Sequence, residues 1–233
     1  MSALMRDEAL ARAMDYPYPA HPEPYLFRDG RVEPLPTALD VSALTPVIAV
    51  GSNRAPAQLA RKYRDQRATI PVTRLIARGL DVVYAAHMAG YGAVPATLAP
   101  SSGTEVELWI TWLDRTALRR MDETEAVGVN YRRDEQGLDV VTSDGPVPDR
   151  ALVYNALRGC LTLDGRIVPL AAVPARGRAA PALSEREVLE RLHRDYAGAE
   201  PFERWLRGHI GTPGLPRRTL LTATLAAGAV RHG

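Results

Sequence analysis

Pro46-Val47-Ile48-Ala49-Val50-Gly51-Ser52-Asn53 is the stretch of sequence that decides the fold. Residues 47–50 form a short continuous apolar run, which is typical of a strand buried on both faces. The run stops at a turn that contains glycine, and residues 55–63 then have helical spacing. The sequence therefore predicts a strand, a turn at residues 51–53 and a helix, in that order.

Short apolar segments separated by turn signals follow this unit. They predict one or two strands over residues 72–86, a hairpin of residues 93–98 and 105–113 around Pro100-Ser101-Ser102-Gly103, and short strands at 131–133, 138–141 and 151–154. In the second arm of the hairpin apolar residues alternate with the others, which predicts one core face. Asp114 is placed to cap a helix over residues 116–124, because its carboxylate can accept free backbone N–H groups.

The two ends of the chain differ in texture from this middle section. Prolines punctuate residues 1–45, which predicts an extended arm anchored on the folded body by its aromatic residues, Tyr16, Tyr18, Tyr25 and Phe27. A flexible tail is the alternative interpretation. Residues 161–233 contain a capping box at Ser184–Glu187 and predict a helical C-terminal extension. The fold class predicted is α+β, with the body of the domain at residues 46–160.

Bulk composition favours a folded cytoplasmic protein. Of the 233 residues 46% are hydrophobic and 24% charged, and the formal net charge is only +2, which argues against a nucleic-acid partner. Cys160 is the single cysteine, so we expect no intrachain disulfide and a reducing compartment. Neither a secretory signal nor a run of about 18 apolar residues occurs, so no membrane partner is expected. Lys62 is the only lysine among 29 basic Lys and Arg residues, which we attribute to composition bias.

Motifs for phosphate loops, nucleophile elbows, metalloprotease helices and paired cysteines are absent, and the five histidines have no ligand spacing. We therefore expect neither a metal nor a cofactor. His87 alone lies beside a glycine-rich loop, His87-Met88-Ala89-Gly90-Tyr91-Gly92. It has two interpretations, a partly buried histidine with a satisfied hydrogen bond or a direct role at a pocket.

Three stretches, taken together, resemble a known family. They are Val47–Asn53, then Gly92-Ala93-Val94-Pro95-Ala96-Thr97-Leu98-Ala99-Pro100, then Leu118-Arg119-Arg120-Met121-Asp122-Glu123-Thr124-Glu125 with Tyr131 six residues on. In this order and spacing, from about Pro46 to Asn155, the chain resembles the γ-glutamylcyclotransferase-like superfamily. Members carry a YGSN loop, a G-x-x-P-A-T-L type strand and an L-x-x-L-D-x-x-E-G segment that bears the catalytic glutamate.

The resemblance implies a small mixed or antiparallel β-barrel with flanking helices and a cavity. It also implies a cofactor-independent cyclotransferase, of the transferase or lyase type, that releases 5-oxoproline from a γ-glutamyl amide. By the resemblance Glu125 is the catalytic acid and base. The substrate-binding residues are implied to be those of the turn, together with two tyrosines: Val50, Gly51, Ser52, Asn53, Tyr91 and Tyr131.

Two positions depart from the family pattern, since Val50 replaces the motif tyrosine and Ala126 replaces the glycine after the glutamate. Glu125 also has a second interpretation, as a solvated carboxylate in the acidic cluster Asp122-Glu123-Glu125 at a helix end. The 51–53 turn can also be interpreted as a plain strand-to-helix connection. Tyr91 and Tyr131 can be interpreted as core residues. At the level of function, a non-catalytic module that keeps the cavity and a protein-interaction domain that uses Trp205 and Leu206 both stay open. The sequence does not predict the oligomeric state.

Overall fold

The computed structural model of the chain describes residues 3–232. The predictions for the N-terminal arm at residues 1 and 2, and for the C-terminal extension at residue 233, lie outside the described residues. In chain order the elements are α1 (Ala3–Met14), β1 (Tyr25–Arg28), β2 (Arg31–Pro34), β3 (Thr45–Ile48), α2 (Pro56–Lys62), β4 (Thr69–Tyr84), β5 (Ala96–Leu113), α3 (Arg115–Thr124), β6 (Tyr131–Gly137), β7 (Asp139–Ser143), β8 (Arg150–Ala156), β9 (Thr162–Leu163), β10 (Arg166–Ile167), β11 (Ala175–Arg176), α4 (Glu185–Tyr196), α5 (Phe202–Arg207) and α6 (Leu215–Ala227).

One nine-stranded sheet organises the protein. Its strand order is β2-β1-β4-β5-β3-β8-β6, with β7 added to β4 and β11 added to β5. All pairs are antiparallel except β3 and β8, where Val47 lies opposite Leu152. The α+β class is therefore confirmed, with a mixed sheet. Within residues 3–232 no pairing joins β2 to β6, the two ends of this path, so the closed barrel stays a prediction.

The longest strand pair, β4 with β5, corrects the predicted hairpin. The two strands pair from Val72 opposite Thr111 to Tyr84 opposite Ala96, so residues 93–98 and 105–113 do not pair with each other. The register shifts between Arg78 and Leu80, where the Pro100–Gly103 segment of β5 bulges out against β4. The turn residues make a bulge because β4 is long enough to pair with both halves of β5.

The core lies on both faces of this sheet. Leu108 and Ile110 on β5 belong to one buried cluster, as the alternating pattern predicts. Trp109, on the opposite face, belongs to a second cluster with Tyr25 and Leu59. The prediction of a single core face on β5 was therefore wrong, because residues of α2 and α3 pack with Trp109 on the other side.

The helix caps and the aromatic anchors agree with the sequence. Asp114 accepts a hydrogen bond from the Ala117 N–H at 2.7 Å at the start of α3, and Ser184 and Glu187 form the capping box of α4. The aromatic side chains of the first 45 residues are buried: Tyr16, Tyr18, Tyr25 and Phe27. Among residues 3–232 no helix has the length and apolar character needed to cross a membrane.

Candidate active site

A cavity of about 260 Å³ lies where the end of β3, the end of α3 and the loop after β4 come together. Strand β3 pairs with β5, and β5 leads directly into α3, so the 51–53 turn and the end of α3 are held side by side. Every site residue that the sequence suggested lines this cavity: Val50, Gly51, Ser52, Asn53, Tyr91, Glu125 and Tyr131.

Glu125 directly follows the last residue of α3, and its side chain is 16% exposed. The next residue, Ala126, has a φ of +51°, so an alanine adopts a left-handed conformation at the position where the family pattern has glycine. This conformation costs a non-glycine residue about 1–2 kcal/mol. The tight turn ends α3 and lets the carboxylate face the cavity.

One oxygen of the Glu125 carboxylate is occupied and the other is not. Oε1 accepts a hydrogen bond from Asn53 Nδ2 at 2.8 Å and forms an ion pair with Lys62 Nζ, which also contacts Met121 Sδ at 3.2 Å. Within the described residues 3–232, Oε2 accepts no hydrogen bond, and the buried Asn53 Oδ1 has no partner. Two acceptor atoms are therefore available to a ligand that donates hydrogen bonds.

The turn at residues 51–53, which lines the same cavity, has unpaired backbone donors. Residues Ser52–Arg54 form a single 3-10 turn that follows β3. In the part of the chain that the structure describes, the N–H groups of residues 51–53 donate to no backbone or side-chain acceptor. Unpaired N–H groups of this kind are suited to a carboxylate or to another anion.

Two tyrosine hydroxyls flank the backbone of Ala96 at the cavity wall. Tyr131 donates to the Ala96 carbonyl at 3.1 Å, and the Tyr16 oxygen accepts the Ala96 N–H at 2.8 Å. Burial raises the pKa of both phenols, so both stay protonated. Because Tyr16 accepts from Ala96, its own O–H remains available to donate to a ligand.

Tyr16 brings a phenol to the turn whose motif tyrosine is replaced by Val50. Its oxygen would lie 2.0 Å from a Cβ added at Gly51, so only glycine fits beneath it. A phenol therefore enters this cavity from the N-terminal segment of the chain, whereas the family pattern has its tyrosine directly before the glycine.

His87 lines the cavity and is 3% exposed. Burial, with a smaller contribution from the positive charge of Arg158, lowers the pKa of His87 to about 3, so the imidazole is neutral at physiological pH. Its Nδ1 is buried and has no partner within the described residues. The satisfied hydrogen bond that one interpretation of His87 required is not present, whereas its burial is.

Sequence reasoning missed Lys62 and Tyr16 as members of the site. Lys62 carried a signal, because it is the single lysine of the chain, but composition bias explained it equally well. Tyr16 was recognised as an anchor only. No local pattern connects residue 16 to residue 51, since their contact depends on how the N-terminal segment crosses the sheet.

The arrangement has the components of general acid–base chemistry. Glu125, with one free carboxylate oxygen, lines a small cavity together with residues 51–53, which have unpaired backbone N–H groups, and with the phenol of Tyr16. Such a site can remove a proton from an amine and return it to a leaving group while it holds an anionic part of the ligand. Among residues 3–232 no cluster of three or more His, Cys, Asp or Glu side chains could hold a metal ion.

No protein-family model and no curated protein matches this chain. Part of the chain is similar to solved structures, among them the following two. One is described as a gamma-glutamyl cyclotransferase, with a TM-score of 0.37 and 20% identity. The match covers 48% of this chain and 66% of that protein, so this chain spans just under two thirds of that protein's length. The second is an AIG2-like protein from Mus musculus, with a TM-score of 0.37 and 17% identity over 49% of this chain and 78% of the other. About half of the chain is thus similar to these two structures, whose descriptions agree with the family that residues 46–155 resemble.

Proposed function

We propose that this cavity binds a γ-glutamyl amide and cleaves it by intramolecular attack of the substrate's own α-amine, releasing 5-oxoproline and a free amine. One observation carries the proposal: Glu125, whose Oε2 atom has no partner among the described residues, lines the same small cavity as residues 51–53, whose N–H groups are unpaired there. In this proposal the sheet curls around the cavity as the small barrel that the resemblance implies.

The polar atoms of the cavity match the ends of a γ-glutamyl group. The turn at Gly51–Asn53 binds the substrate's α-carboxylate through its N–H groups. The α-amine then faces two acceptors, Glu125 Oε2 and Asn53 Oδ1. Tyr16 donates its O–H to the γ-carbonyl oxygen, where negative charge develops during attack.

In this mechanism a single carboxylate both accepts and returns the transferred proton. The α-nitrogen bonds to the γ-carbonyl carbon, and Glu125 takes the proton that this nitrogen loses. The tetrahedral intermediate then collapses, the bond from the γ-carbon to the leaving nitrogen breaks, and Glu125 gives its proton to that nitrogen. The products are 5-oxoproline and the amine, and Glu125 returns to its starting state without a cofactor.

The test uses the purified full chain with γ-glutamyl dipeptides and an assay for 5-oxoproline. We expect Glu125→Gln to lower turnover by roughly 10²–10⁴-fold, since this is the usual contribution of a general acid–base group. Glu123→Gln is the matched control, because Glu123 belongs to the same helix but its side chain is 60% exposed and does not line the cavity. Turnover that survives Glu125→Gln, or a wild-type protein that forms no 5-oxoproline, would refute the mechanism.

A second candidate function is a binding module that keeps the cavity without turning over its ligand. The ion pair of Lys62 with Glu125 favours it, because the ammonium group already occupies one oxygen of the proposed base. A ligand screen by thermal shift separates the two functions. γ-Glutamyl compounds that stabilise the protein without forming 5-oxoproline would support the binding module.

A further inference from the structure

His87 is a buried polar side chain of the candidate active site that the proposed reaction does not use. It lines the cavity of about 260 Å³ together with Glu125 and the turn at residues 51–53, and it is 3% exposed. Buried polar side chains are normally hydrogen-bonded, because removing a polar group from water costs free energy. The unused hydrogen-bonding capacity of this ring therefore requires a physical explanation.

The two ring nitrogens of His87 have different surroundings. Nδ1 is sealed inside the protein and has no partner within residues 3–232. Nε2 has no hydrogen-bond partner among these residues either, but it is not sealed off in this way. Nε2 is therefore the ring nitrogen that a ligand can reach.

A neutral imidazole carries one N–H donor and one acceptor nitrogen. His87 is neutral at physiological pH, because burial and, to a smaller extent, the charge of Arg158 lower its pKa to about 3. A proton on Nδ1 would be a buried N–H without an acceptor, and such orphaned donors are rarer in proteins than acceptors that lack a donor. This asymmetry favours the proton on Nε2, where it can be donated to a ligand.

A short chain of contacts links His87 to Tyr16 along the lining of the cavity. The His87 ring packs edge-on against the ring of Tyr131, with the ring centroids 5.5 Å apart. Tyr131 donates to the Ala96 carbonyl, and the Tyr16 oxygen accepts the Ala96 N–H. All four residues line the same cavity, so the imidazole and the phenol of Tyr16 are two neutral donor groups of one small site.

The other polar groups of a γ-glutamyl ligand already have partners in the proposed function. The N–H groups of residues 51–53 bind its α-carboxylate, and Glu125 and Asn53 accept from its α-amine. The γ-carbonyl oxygen has two lone pairs, of which Tyr16 occupies one. A second donor to this oxygen assists the reaction, because negative charge develops there during attack.

We infer that His87 donates a hydrogen bond from Nε2 to the γ-carbonyl oxygen of the ligand and forms, with Tyr16, a two-donor oxyanion hole. The inference rests on the proposed function for the orientation of the ligand, and it makes His87 a catalytic residue. A neutral imidazole is suited to this role, because it stabilises the oxyanion while Glu125 alone carries the transferred proton. The inference also narrows the ligands of the cavity to compounds with a carbonyl-type acceptor at the γ-position.

The first measurement is the turnover of γ-glutamylalanine by the purified full chain, with urea unfolding to confirm that each variant is folded. We expect His87→Leu to lower kcat by roughly 10²–10³-fold, the usual effect of removing one oxyanion donor, and to change KM by less than about threefold. His87→Gln should recover at least about tenfold in kcat over His87→Leu, because its amide nitrogen can donate from near the position of Nε2.

His209→Leu is the matched control for the loss of a buried histidine. His209 is 4% exposed and bonds the Trp205 carbonyl through Nδ1 at 2.7 Å, but it does not line the candidate active site. We therefore expect its kcat to stay within about threefold of the wild-type value.

The second measurement observes the ring directly and does not depend on turnover. Nitrogen-15 NMR of the histidine rings distinguishes the two tautomers, and His87→Gln identifies the His87 signals among those of the five histidines. We expect the Nε2–H tautomer, and a downfield shift of the Nε2–H proton when γ-glutamylalanine binds to the Glu125→Gln chain. An Nδ1–H tautomer, or a ring proton that does not respond to ligand whose binding calorimetry confirms, would overturn the inference.

The outcomes separate this inference from the proposed function. If 5-oxoproline forms and kcat is insensitive to both His87 substitutions, the hydrogen bond is overturned and the reaction stands. If a folded His87→Gln chain is as inactive as His87→Leu, a donor is not what this position supplies, and the inference is likewise overturned. If no 5-oxoproline forms but bound ligand shifts the Nε2–H proton, the reaction is overturned and the hydrogen bond stands as part of a binding module. Absence of both binding and turnover overturns the two together.

Discussion

The Glu125 carboxylate is held by two side chains that are distant in sequence. Asn53 and Lys62 both bind its Oε1 atom, and the Lys62 side chain is only 6% exposed. Removing charged groups from water is costly, so a buried ion pair stabilises a protein weakly, whereas breaking one leaves an uncompensated charge. The pair therefore positions the carboxylate more than it stabilises the fold.

Replacement of Lys62 should expose this coupling. Lys62→Met keeps the length of the side chain but leaves Glu125 without its cation, and Glu125→Gln leaves the ammonium group without its anion. Because the cavity admits water, we expect each single change to lower the free energy of unfolding by about 1–3 kcal/mol, less than at a fully dry site. The double variant Lys62→Met/Glu125→Gln should have a free energy of unfolding at least about 1 kcal/mol higher than the sum of the two single effects predicts.

A double-mutant cycle by urea unfolding measures this coupling directly. Additivity of the two substitutions to within about 0.5 kcal/mol would mean that the ion pair has no energetic weight. The cycle does not depend on turnover, so it applies equally if the protein proves to be a binding module.

Sequence analysis found part of this site at the residue scale. Glu125 and the turn at Gly51–Asn53 carry a recognisable motif, and the structure places them around one cavity. Lys62 and Tyr16 carry none, because what brings them to the cavity is the docking of α2 and of the N-terminal segment, which no spacing along the chain records. The roles of all these residues stay predictions.

At the scale of elements, the N-terminal segment is part of the cavity wall. After α1 the chain inserts Tyr16 between Gly51 and Ala96, and the phenol oxygen accepts the Ala96 N–H. A buried N–H left without an acceptor costs about 1–3 kcal/mol. The segment therefore does more than cover the sheet, because its Tyr16 completes the hydrogen bonding of β5.

Gly51→Ala tests this docking. The added methyl group would lie 2.0 Å from the Tyr16 oxygen, so we expect the substitution to lower the free energy of unfolding by about 1–3 kcal/mol, as overpacking of a core does. Tyr16→Phe removes the oxygen and makes room for the methyl group. In the Gly51→Ala background Tyr16→Phe should therefore lower the free energy of unfolding by about 1 kcal/mol less than it does in the wild type, or should even raise it.

Tyr18→Phe serves as the control for this rescue. The Tyr18 hydroxyl accepts from Arg12 at 3.3 Å and does not contact Gly51, so its removal should not relieve the clash. If Tyr16→Phe and Tyr18→Phe had the same effect on Gly51→Ala in urea unfolding, the Tyr16 ring would not lie over this turn.

The elements themselves were predicted unevenly. Helix α3 and helix α4 follow from local capping chemistry, which acts within four residues and is visible in the sequence. The Pro100–Gly103 segment has equally good local turn chemistry, yet it forms a bulge in β5. Its outcome was decided by pairing with β4, which is a tertiary effect that local propensity does not encode.

At the scale of the whole molecule, buried ionisable groups make stability depend on pH. His87 is buried, and burial holds its pKa at about 3, against a usual value of 6.5. Glu185 is also buried, and burial raises its pKa well above the usual 4.5. Each folded-state group stays neutral over a range in which the unfolded chain would carry the charge.

The two groups act in opposite directions. Between pH 6.5 and pH 3 the unfolded chain binds a proton at His87 that the folded protein does not bind, so this contribution to stability is lost as pH falls. Above pH 4.5 the folded protein keeps a proton on Glu185 that the unfolded chain releases, so this contribution is lost as pH rises. Single substitutions are needed to separate the two slopes.

His87→Gln should remove the first slope. Going from pH 8 to pH 5, we expect the wild type to lose about 2 kcal/mol more of its unfolding free energy than His87→Gln, since each pKa unit corresponds to about 1.4 kcal/mol. Urea unfolding at several pH values measures the difference. Glu185→Gln should change the pH dependence of the unfolding free energy in the opposite sense, because it removes the proton that only the folded protein keeps above pH 4.5. The amide oxygen of Gln can still accept the Val94 N–H that Glu185 binds at 2.7 Å. Parallel curves of unfolding free energy against pH for the wild type and His87→Gln would contradict this prediction. They would mean that the folded protein protonates His87 as readily as the unfolded chain does. Water or a partner would then reach the imidazole, whose Nδ1 is otherwise unsatisfied.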